Sequence, residues 1–503
     1  MTKPIDIEHL LNPDALAVEI ADRWREWNEL RGPWITQTKE LRNYLFATDT
    51  KTTGNAVLPW SNTTTTPKLT QVADNLHANY FATMFPQQKW MRWEANSQEA
   101  ATKKKRDIIQ SYMENKVRMS GFVNTVSELL NDYILYGNCF GIVEWEDGYI
   151  FKEDGEYTPQ YVGPRLTRIS PYDICFNPIA KSFSSTPKII RSMKTMGEVK
   201  REIDLDPTNE PMKEAFKKLL EGRRSVRNTE GDYNKSNGFV ADGFSSIEQY
   251  YESDMIEVLT FFGDIFDKES GDFFQDRIVT VMDRAYVLGN EENPSWLGTA
   301  PIFHSGWRNR QDNLYAMGPL DNLVGMQYRI DHLENLKADV FDQIAYPIMK
   351  IRGDVEDFDF TPGARIYMGE EGDVGYLQPD PMALQADMQI HLLEQKMEEM
   401  AGAPKQAMGI RTPGEKTAFE VQSLQNSASR IFEHKTAHFE RMFLEPALNA
   451  MLEMARRRMH TSDTSGRSRP SRSRLMPTST SKSPRRSPRR ISMRWIVSML
   501  EWR

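Results

Sequence analysis

The basic, glycine-rich segment MGIRTPGEKTAFEV has nearly the spacing of a phosphate-binding loop. Gly409 and Gly414 are placed as in G-x-x-x-x-G-K-[ST], in which glycine amides surround the phosphates and the lysine bridges them. Glu415 occupies the lysine position, however, and Lys416 is shifted by one residue. The preceding segment HLLEQKMEEMAG is helical in pattern, and no apolar run ending in Asp is available to hold magnesium. The loop therefore needs another reason to be basic.

The pair His434 and His438 is the best candidate for a metal site. The two residues lie one helical turn apart, so their imidazoles could share one zinc ion. The segment HKTAH lacks the glutamate of H-E-x-x-H and offers no clear third ligand, which favours an exposed or inter-subunit face. Acidic pairs such as Glu398 and Glu399 are abundant, but no set of nucleophile, base and orienting group is visible. We expect no catalytic residues, no metal, no cofactor and no enzyme activity.

The composition indicates a folded protein of a reducing compartment. The chain has 503 residues, of which 39% are hydrophobic and 11% aromatic, enough for two to four domains with apolar cores. Its two cysteines, Cys139 and Cys175, exclude a disulfide framework. The N-terminus MTKPIDIEHLLNPD is acidic where a secretory signal would be apolar, and no run approaches the roughly 20 apolar residues of a membrane span. We expect no membrane association.

The charge is distributed unevenly along the chain. Residues 459–503 contain eleven Lys and Arg against Asp463 and Glu501. This tail carries +9 in a chain of net charge −8, so residues 1–458 carry −17. An acidic body argues against tight DNA binding along a broad basic face. The tail, rich in Ser, Arg and Pro, is predicted to be disordered and to mark the end of the fold near Met459.

The first 305 residues read as helices followed by antiparallel strands. Asn12 and Pro13 begin a helix that Gly32 and Pro33 interrupt. The threonine-rich loop LPWSNTTTTPK precedes the helix LTQVADNLHANYFATMF, and charged helices continue to about Leu135. Alternating apolar residues then predict strands in YGNCFGIVEWEDGYIFKED, RLTRISPYDICFNP, MIEVLTFFGDIFD, RIVTVMDRAYVLG and APIFHSGWRN. The predicted fold class is α+β.

Two further helices and an acidic segment follow. Pro319 can start a helix and Pro347 forbids its continuation, and apolar residues recur every three or four positions between them. Such a helix would be about 42 Å long, although a four-helix bundle remains an alternative. Short strands IMKIRG, ARIYMG and VGYLQP lead to a second helix beginning at Pro381. Between Gly353 and Glu399 twelve acidic residues face only two basic ones.

Taken in order, these segments resemble the portal, or head-to-tail connector, proteins of short-tailed bacteriophages. The resemblance spans about Pro33 to Met459. It rests on LPWSNTTTTPKLTQVADNLHANYFATMFPQQKW, ILYGNCFGIVEW, ISPYDICFNPIAKS and NLYAMGPLDNLVGMQYRIDHLENL, followed by GIRTPGEKTAFEV. In such proteins a ring of about twelve subunits surrounds a DNA channel.

The resemblance implies an organisation for the whole chain. It implies a wing of helices and antiparallel strands at residues 1–312, stem helices lining the channel at 313–347 and 381–400, and a small strand-containing clip at 348–380. A tunnel loop at 401–416, a long wing or crown helix at 417–458 and the basic tail at 459–503 complete the assignment. Connectors of this class usually continue with helical crown sequence, whereas this chain changes to Ser, Arg and Pro after Met459.

The resemblance also implies site residues and partners. The tunnel loop would touch DNA phosphates through Lys405, Arg411 and Lys416, which answers why the loop is basic. The acidic clip and channel residues would be Asp354, Glu356, Asp357, Asp359, Glu370, Glu371 and Asp373. Acidic walls let duplex DNA slide without deep electrostatic traps.

The implied function is packaging and ejection of double-stranded DNA at the portal vertex of the capsid. The implied partners are further copies of the chain, the terminase large subunit, the tail adaptor, and the major capsid and scaffolding proteins. The implied location is the virion, after assembly in the host cytoplasm.

Two alternatives belong to other functional classes. A degenerate P-loop NTPase predicts nucleotide-dependent stabilisation that is lost in Lys416→Ala. A nucleic-acid-binding protein with a basic tail predicts that deleting residues 459–503 abolishes DNA affinity.

Overall fold

The structure is a computed structural model whose contacts divide the chain into two compact units. It describes residues 5–7, 13–45, 62–86, 90–94, 100–151, 157–205, 210–226, 255–293, 300–353, 367, 369, 373–377, 385–401 and 433–464. The first unit comprises Met1–Ile35, Tyr80–Gly318 and His434–Arg503, and the second comprises Thr36–Asn79 and Pro319–Glu433. The N-terminal segment Thr36–Asn79 is thus grouped with residues almost 300 positions away in the chain.

The N-terminal helices lie where their apolar periodicity predicts them. They are α1 (Pro13–Leu30), α2 (Gly32–Leu45), α3 (Lys68–Met84), α4 (Ala100–Met119) and α5 (Phe122–Leu135). Gly121 separates α4 from α5 with a φ of 71°, a left-handed conformation that a Cβ atom disfavours.

Arg31, in the turn between α1 and α2, is buried and holds this turn to the segment at Pro171–Ile174. Its guanidinium donates to the carbonyls of Pro171, Tyr172 and Ile174 at 2.7–2.9 Å. These bonds satisfy both a buried cation and three carbonyls, so the break predicted at Gly32 is fixed by long-range contacts.

Two antiparallel sheets form the β part of the first unit. Strands β2 (Asn138–Phe151), β3 (Tyr157–Ile169) and β9 (Ile302–Gly306) pair in the order β3-β2-β9. The larger sheet has the order β4-β5-β6-β7-β8. Its strands are β4 (Ile174–Phe176), β5 (Lys188–Thr195), β6 (Met255–Asp267), β7 (Phe273–Met282) and β8 (Tyr286–Glu292). The α+β class and the predicted strands are confirmed.

Four elements of the first unit were not predicted from the sequence. The short strand β1 (Ile5–Ile7) pairs in parallel with β6, and β5 pairs antiparallel with β4 and β6. Helices α6 (Met196–Leu205) and α7 (Glu210–Val226) contribute Val199, Ile203 and Leu219 to a core with β6. These helices were missed because they are highly charged, so that only a narrow apolar stripe marks each of them in the sequence.

The second unit contains the long helix α8 and a hairpin-like pair of strands. Helix α8 (Val324–Ala345) has 22 residues, about 33 Å, and begins five positions later than predicted. Leu320 and Leu323 are fully buried and form a turn, in which the Leu323 N–H donates to the Leu320 carbonyl, so Pro319 starts this turn rather than the helix.

Strands β10 (Ile348–Arg352) and β11 (Asp373–Leu377) pair antiparallel and confirm IMKIRG and VGYLQP as strands. Of ARIYMG, only Tyr367 and Gly369 are described, and neither is in a strand. Helix α9 (Asp387–Ala401) follows, and the predicted start at Pro381 lies outside the described residues.

The C-terminal helix contains a π-turn and extends beyond its predicted end. Helical residues 433–439 lead into a π-helix at Glu440–Leu444 and then into α10 (Glu445–Thr464). The Glu445 N–H donates to the Glu440 carbonyl, and Pro446 follows, a residue that can neither donate nor fit regular helix packing. The helix continues five residues past Met459, and no Gly or Pro occurs between Pro446 and Gly466 to stop it. Residues 417–432 and 465–503 lie outside the described residues.

Candidate functional site

The threonine-rich segment 62–66, here named the strap, lies in extended form along helix α8. Three of its N–H groups donate to α8 side chains spaced four residues apart: Asn62 to Asp339 at 2.6 Å, Thr64 to Asn335 at 2.8 Å and Thr66 to Asp331 at 2.9 Å. The amide of Asn335 returns a bond to the Thr64 carbonyl at 3.0 Å. Side-chain oxygens of α8 therefore accept the strap N–H groups that a neighbouring β-strand would otherwise bind.

The two periodicities match for a geometric reason. Every second residue of an extended chain advances about 6.7 Å, and every fourth residue of a helix advances about 6 Å. Alternate strap residues can therefore meet one polar face of α8 over three successive contacts. Each bond contributes about 1 kcal/mol net, and loss of its acceptor would leave a backbone N–H unsatisfied.

The hydrogen bonds between the strap and the side chains of Gln327, Asp331, Asn335 and Asp339 on α8 are here named the ladder. Gln327 extends the ladder into the first turn of α3. Its Nε2 donates to the Thr66 carbonyl at 2.5 Å and to Asp331 Oδ1 at 2.8 Å, while its Oε1 accepts from the Leu69 N–H at 3.1 Å. The first N–H groups of a helix have no partner within the helix, so Gln327 caps α3 from a distant element. Both Gln327 and Asp331 are fully buried.

Asp331 is the most constrained carboxylate of the ladder. Its Oδ1 accepts two bonds, whereas Oδ2 is buried without a hydrogen-bond partner. Burial raises the pKa of Asp331 to about 6, although the Thr66 N–H and Gln327 amide act in the opposite direction. The charged state of this residue is therefore sensitive to mildly acidic pH.

A buried ion pair connects α3 to α9. Lys68 Nζ lies 2.8 Å from Glu398 Oε1 and 4.0 Å from Glu394 Oε1, and it donates to Gln71 Oε1 at 3.0 Å. The side chains of Lys68 and Glu398 are only 7% and 5% exposed. Removing one member of such a pair typically costs about 3–5 kcal/mol because a buried charge remains. The pair thus fixes α9 against the start of α3.

The predicted DNA-contacting and clip residues fall almost entirely outside the described residues. This applies to Lys405, Arg411, Lys416, Asp354, Glu356, Asp357, Asp359, Glu370 and Glu371. Asp373 is described: it is exposed and begins β11, opposite Arg352 in the strand register. The loop with the near-P-loop spacing is likewise undescribed, so both interpretations of it stay predictions.

The histidine pair does not form a metal site with other described residues. His434 is exposed, while His438 is partly buried and hydrogen-bonds the Gly306 backbone. Burial, followed by the nearby Lys435, Arg441 and His434, lowers the pKa of His438. Within the described ranges, no group of three His, Cys, Asp or Glu side chains could hold a metal ion.

The ladder residues Gln327, Asp331, Asn335 and Asp339 were not recognised in the sequence. Their signal was a polar residue at every fourth position of a helix whose other faces carry apolar residues. A threonine run without apolar periodicity is the matching signal in the strap. The two could have been paired only by assuming that an extended segment packs on a helix.

Comparison with known protein families finds a match for the N-terminal part of the chain. Residues 17–152 match the family described as bacteriophage head to tail connecting protein. The resemblance to phage connectors is confirmed. No curated protein matches the chain. The connector match includes the strap and α3 but ends before α8. It therefore covers the strap residues of the ladder and not their partners on α8. It supports a role at the junction of phage head and tail.

This connector-like chain exposes large apolar side chains on its second unit. They are 42–82% exposed and comprise Tyr328, Leu336, Phe341, Ile344, Tyr346, Ile348, Ile351, Tyr367, Tyr376, Leu377, Met388, Leu392 and Met400. Apolar patches of this kind usually mark contact surfaces.

None of the helices in the described ranges has the length and apolarity required to cross a bilayer.

Proposed function

We propose that the protein is a portal, a ring of identical subunits through which double-stranded DNA enters and leaves a phage capsid. The observation that carries the proposal is the connector match over residues 17–152. A ring requires each subunit to present surfaces to its neighbours. The exposed apolar side chains of α8, β10, β11 and α9 support such contacts, because a monomer would leave them in water.

In this proposal α8 and α9 are the stem helices and residues 348–380 form the clip. The strap ladder and the Lys68–Glu398 pair hold the two helices to α3, so that the stem resists bending when DNA moves past it. Rigidity of this kind comes from side chains that α8 itself supplies. The exposed apolar surfaces of the helices are left for adjoining subunits.

Charge accounts for the passage of DNA. Residues 1–458 carry −17, and an acidic wall gives phosphates no deep binding minimum. Lys405, Arg411 and Lys416 would make the transient, sequence-independent contacts in the tunnel loop. The terminase large subunit supplies ATP hydrolysis at the clip and the tail adaptor later replaces it, so the portal needs no catalytic residues.

Electron microscopy of the purified full-length protein tests the proposal. We expect end-on class averages with rotational symmetry and a central hole wide enough for duplex DNA. A variant truncated after Thr464, the last described helical residue, shows whether the tail is needed for assembly. Monomers or dimers only, in both proteins and at high concentration, would contradict the portal proposal.

A further inference from the structure

Two cations of the first unit, Arg308 and Lys435, lie at the indole ring of Trp307, and a third, Arg441, lies near His438. Arg308 lies two residues after the end of β9, while Lys435 and Arg441 lie on the helical segment that contains the π-turn. Lys435 interacts electrostatically with Arg308, and Arg441 with His438, whose ring bonds the Gly306 backbone next to Trp307. We name Arg308, Lys435 and Arg441 the cationic patch.

Trp307 organises the patch without neutralising it. The indole is buried, at 4% exposure, and its Nε1 donates to the Tyr80 hydroxyl at 3.1 Å. Lys435 Nζ lies 4.1 Å from the ring centroid and donates to the Trp307 carbonyl, and Arg308 Cζ lies 5.2 Å from the same centroid. Cation–π contacts therefore hold two charges in place while leaving them cationic.

The three cations of the patch, Arg308, Lys435 and Arg441, form no salt bridge with any residue in the described part of the chain. The patch is a local positive surface on a body that carries −17 over residues 1–458. Such a surface attracts an anionic ligand from outside the subunit.

We propose that the cationic patch binds backbone phosphates of double-stranded DNA without reading its sequence. The choice of DNA over an acidic protein rests on the proposed portal function. It is also favoured because the central aromatic ring is buried, so the patch lacks the exposed aromatic anchor of most protein interfaces. Guanidinium and ammonium groups bind phosphate oxygens through strong charge-assisted bonds. The site is separate from the tunnel loop.

The salt dependence of DNA binding measures the number of phosphate contacts. We would titrate full-length protein onto a fluorescent duplex at several salt concentrations and compare it with Arg308→Gln, Lys435→Met and Arg441→Gln combined. Each lost contact should reduce the slope of log Kd against log salt by roughly 0.9, so the triple variant should lose about 2.7. The methionine keeps the apolar stem of Lys435 on Trp307.

A matched control has the same change of net charge at other exposed lysines. Lys103→Gln and Lys104→Gln on α4 with Lys217→Gln on α7 should leave the slope nearly unchanged. An equal loss of slope in this control, or an unchanged slope in the triple variant, would overturn the proposal. If Lys435→Met lowers the thermal midpoint, Arg308→Gln with Arg441→Gln should still reduce the slope by about 1.8.

Two further measurements distinguish this proposal from binding of an acidic protein and from the portal function. If a labelled poly-glutamate peptide loses binding in the triple variant while duplex binding is unchanged, the ligand is an acidic protein and the DNA proposal is wrong. If micrographs show no rings but the slope falls as expected, the portal function fails and the phosphate site stands.

Discussion

At the scale of single residues, Asp331 connects the strap to α8 through a carboxylate that is fully buried. It accepts bonds from the Thr66 N–H and from Gln327 with one oxygen, and the other oxygen has no hydrogen-bond partner. A buried charge with an unsatisfied oxygen is costly, so this group prefers to bind a proton in the folded protein. The ladder consequently contains a titratable group.

This residue predicts a pH dependence of stability with a definite sign. Burial raises the pKa of folded Asp331 to about 6, above the 3.8 of an unperturbed aspartate. The folded state therefore binds the proton more tightly, and the stability from Asp331 is full below pH 3.8 and falls as pH rises to about 6. In Asp331→Asn this contribution should disappear, so the difference in unfolding free energy between the two proteins should change between pH 4 and 6. Denaturant titrations across that range measure it, and a constant difference would refute the assignment.

Residue-level chemistry was only partly visible in the sequence. The sequence offers no third ligand beside His434 and His438, and the described residues bring no group of three metal-ligating side chains together, so the absence of a metal stays a prediction. The buried partners of Lys68 could not be foreseen, because Glu398 lies 330 positions away and is one of many acids in its region. Spacing along the chain carries no information on such distant pairs.

At the scale of elements, the main feature is an extended strap that uses a helix as its hydrogen-bonding partner. Backbone N–H groups of Asn62, Thr64 and Thr66 point to α8, and the alternation of an extended chain directs those of Thr63 and Thr65 elsewhere. The strap therefore has two sets of residues with different tolerance of proline, which lacks the N–H group.

This alternation predicts opposite outcomes for neighbouring proline substitutions. Thr64→Pro should destabilise the second unit by about 1–3 kcal/mol, because proline has no N–H and the buried Asn335 Oδ1 loses its hydrogen-bond donor. Thr63→Pro, at an exposed position with no bond to α8, is the matched control and should cost much less. Thermal midpoints of the two variants give the comparison, and equal losses would show that the ladder does not stabilise the strap.

The boundaries of helices and strands show where apolar periodicity and turn residues are sufficient to predict the fold and where they are not. Helices α1 to α5 and most strands of the first unit, though not β1 and β5, follow apolar periodicity and turn residues. The start of α8 was misplaced because Pro319 fits a helix start, whereas burial of Leu320 and Leu323 favours a turn. The sequence predicts a long helix at 417–458 but gives no sign of the π-helix at Glu440–Leu444, which lies just before Pro446.

At the scale of the whole molecule, the exposed apolar side chains of α8 bear on assembly. Phe341 and Ile344 are 53% and 46% exposed, and they lie within one turn of each other. Replacing both with aspartate should leave the subunit folded, because neither residue is in its core, and should prevent ring formation by placing charges in the subunit contact. Micrographs and sedimentation of Phe341→Asp with Ile344→Asp test this.

Ile179 offers a control for the ring prediction. It is 72% exposed in a loop of the first unit, and Ile179→Asp should leave the rings intact. Loss of rings in both proteins would mean that any added charge disrupts assembly. Rings that persist in the α8 variant would exclude this face as a subunit contact.

The tunnel-loop assignment leads to a prediction about the assembled phage. Arg411→Ala with Lys416→Ala should leave ring assembly intact, because the two residues are assigned to DNA rather than to subunit contacts. The variant should package less DNA or retain it poorly, as measured by genome length in purified virions. Normal length and retention would remove Arg411 and Lys416 from the DNA-contacting set.

The sequence alone determined the α+β class, most helices and strands, and the resemblance to phage connectors that the match over residues 17–152 confirms. These depend on local periodicity, turn chemistry and segment order, all of which can be read along the chain. Only the tertiary structure decided that Thr36–Asn79 groups with Pro319–Glu433, that the strap pairs with α8, and that two cations lie at Trp307. Such contacts join residues tens to hundreds of positions apart, and local patterns do not encode which of many polar partners will meet.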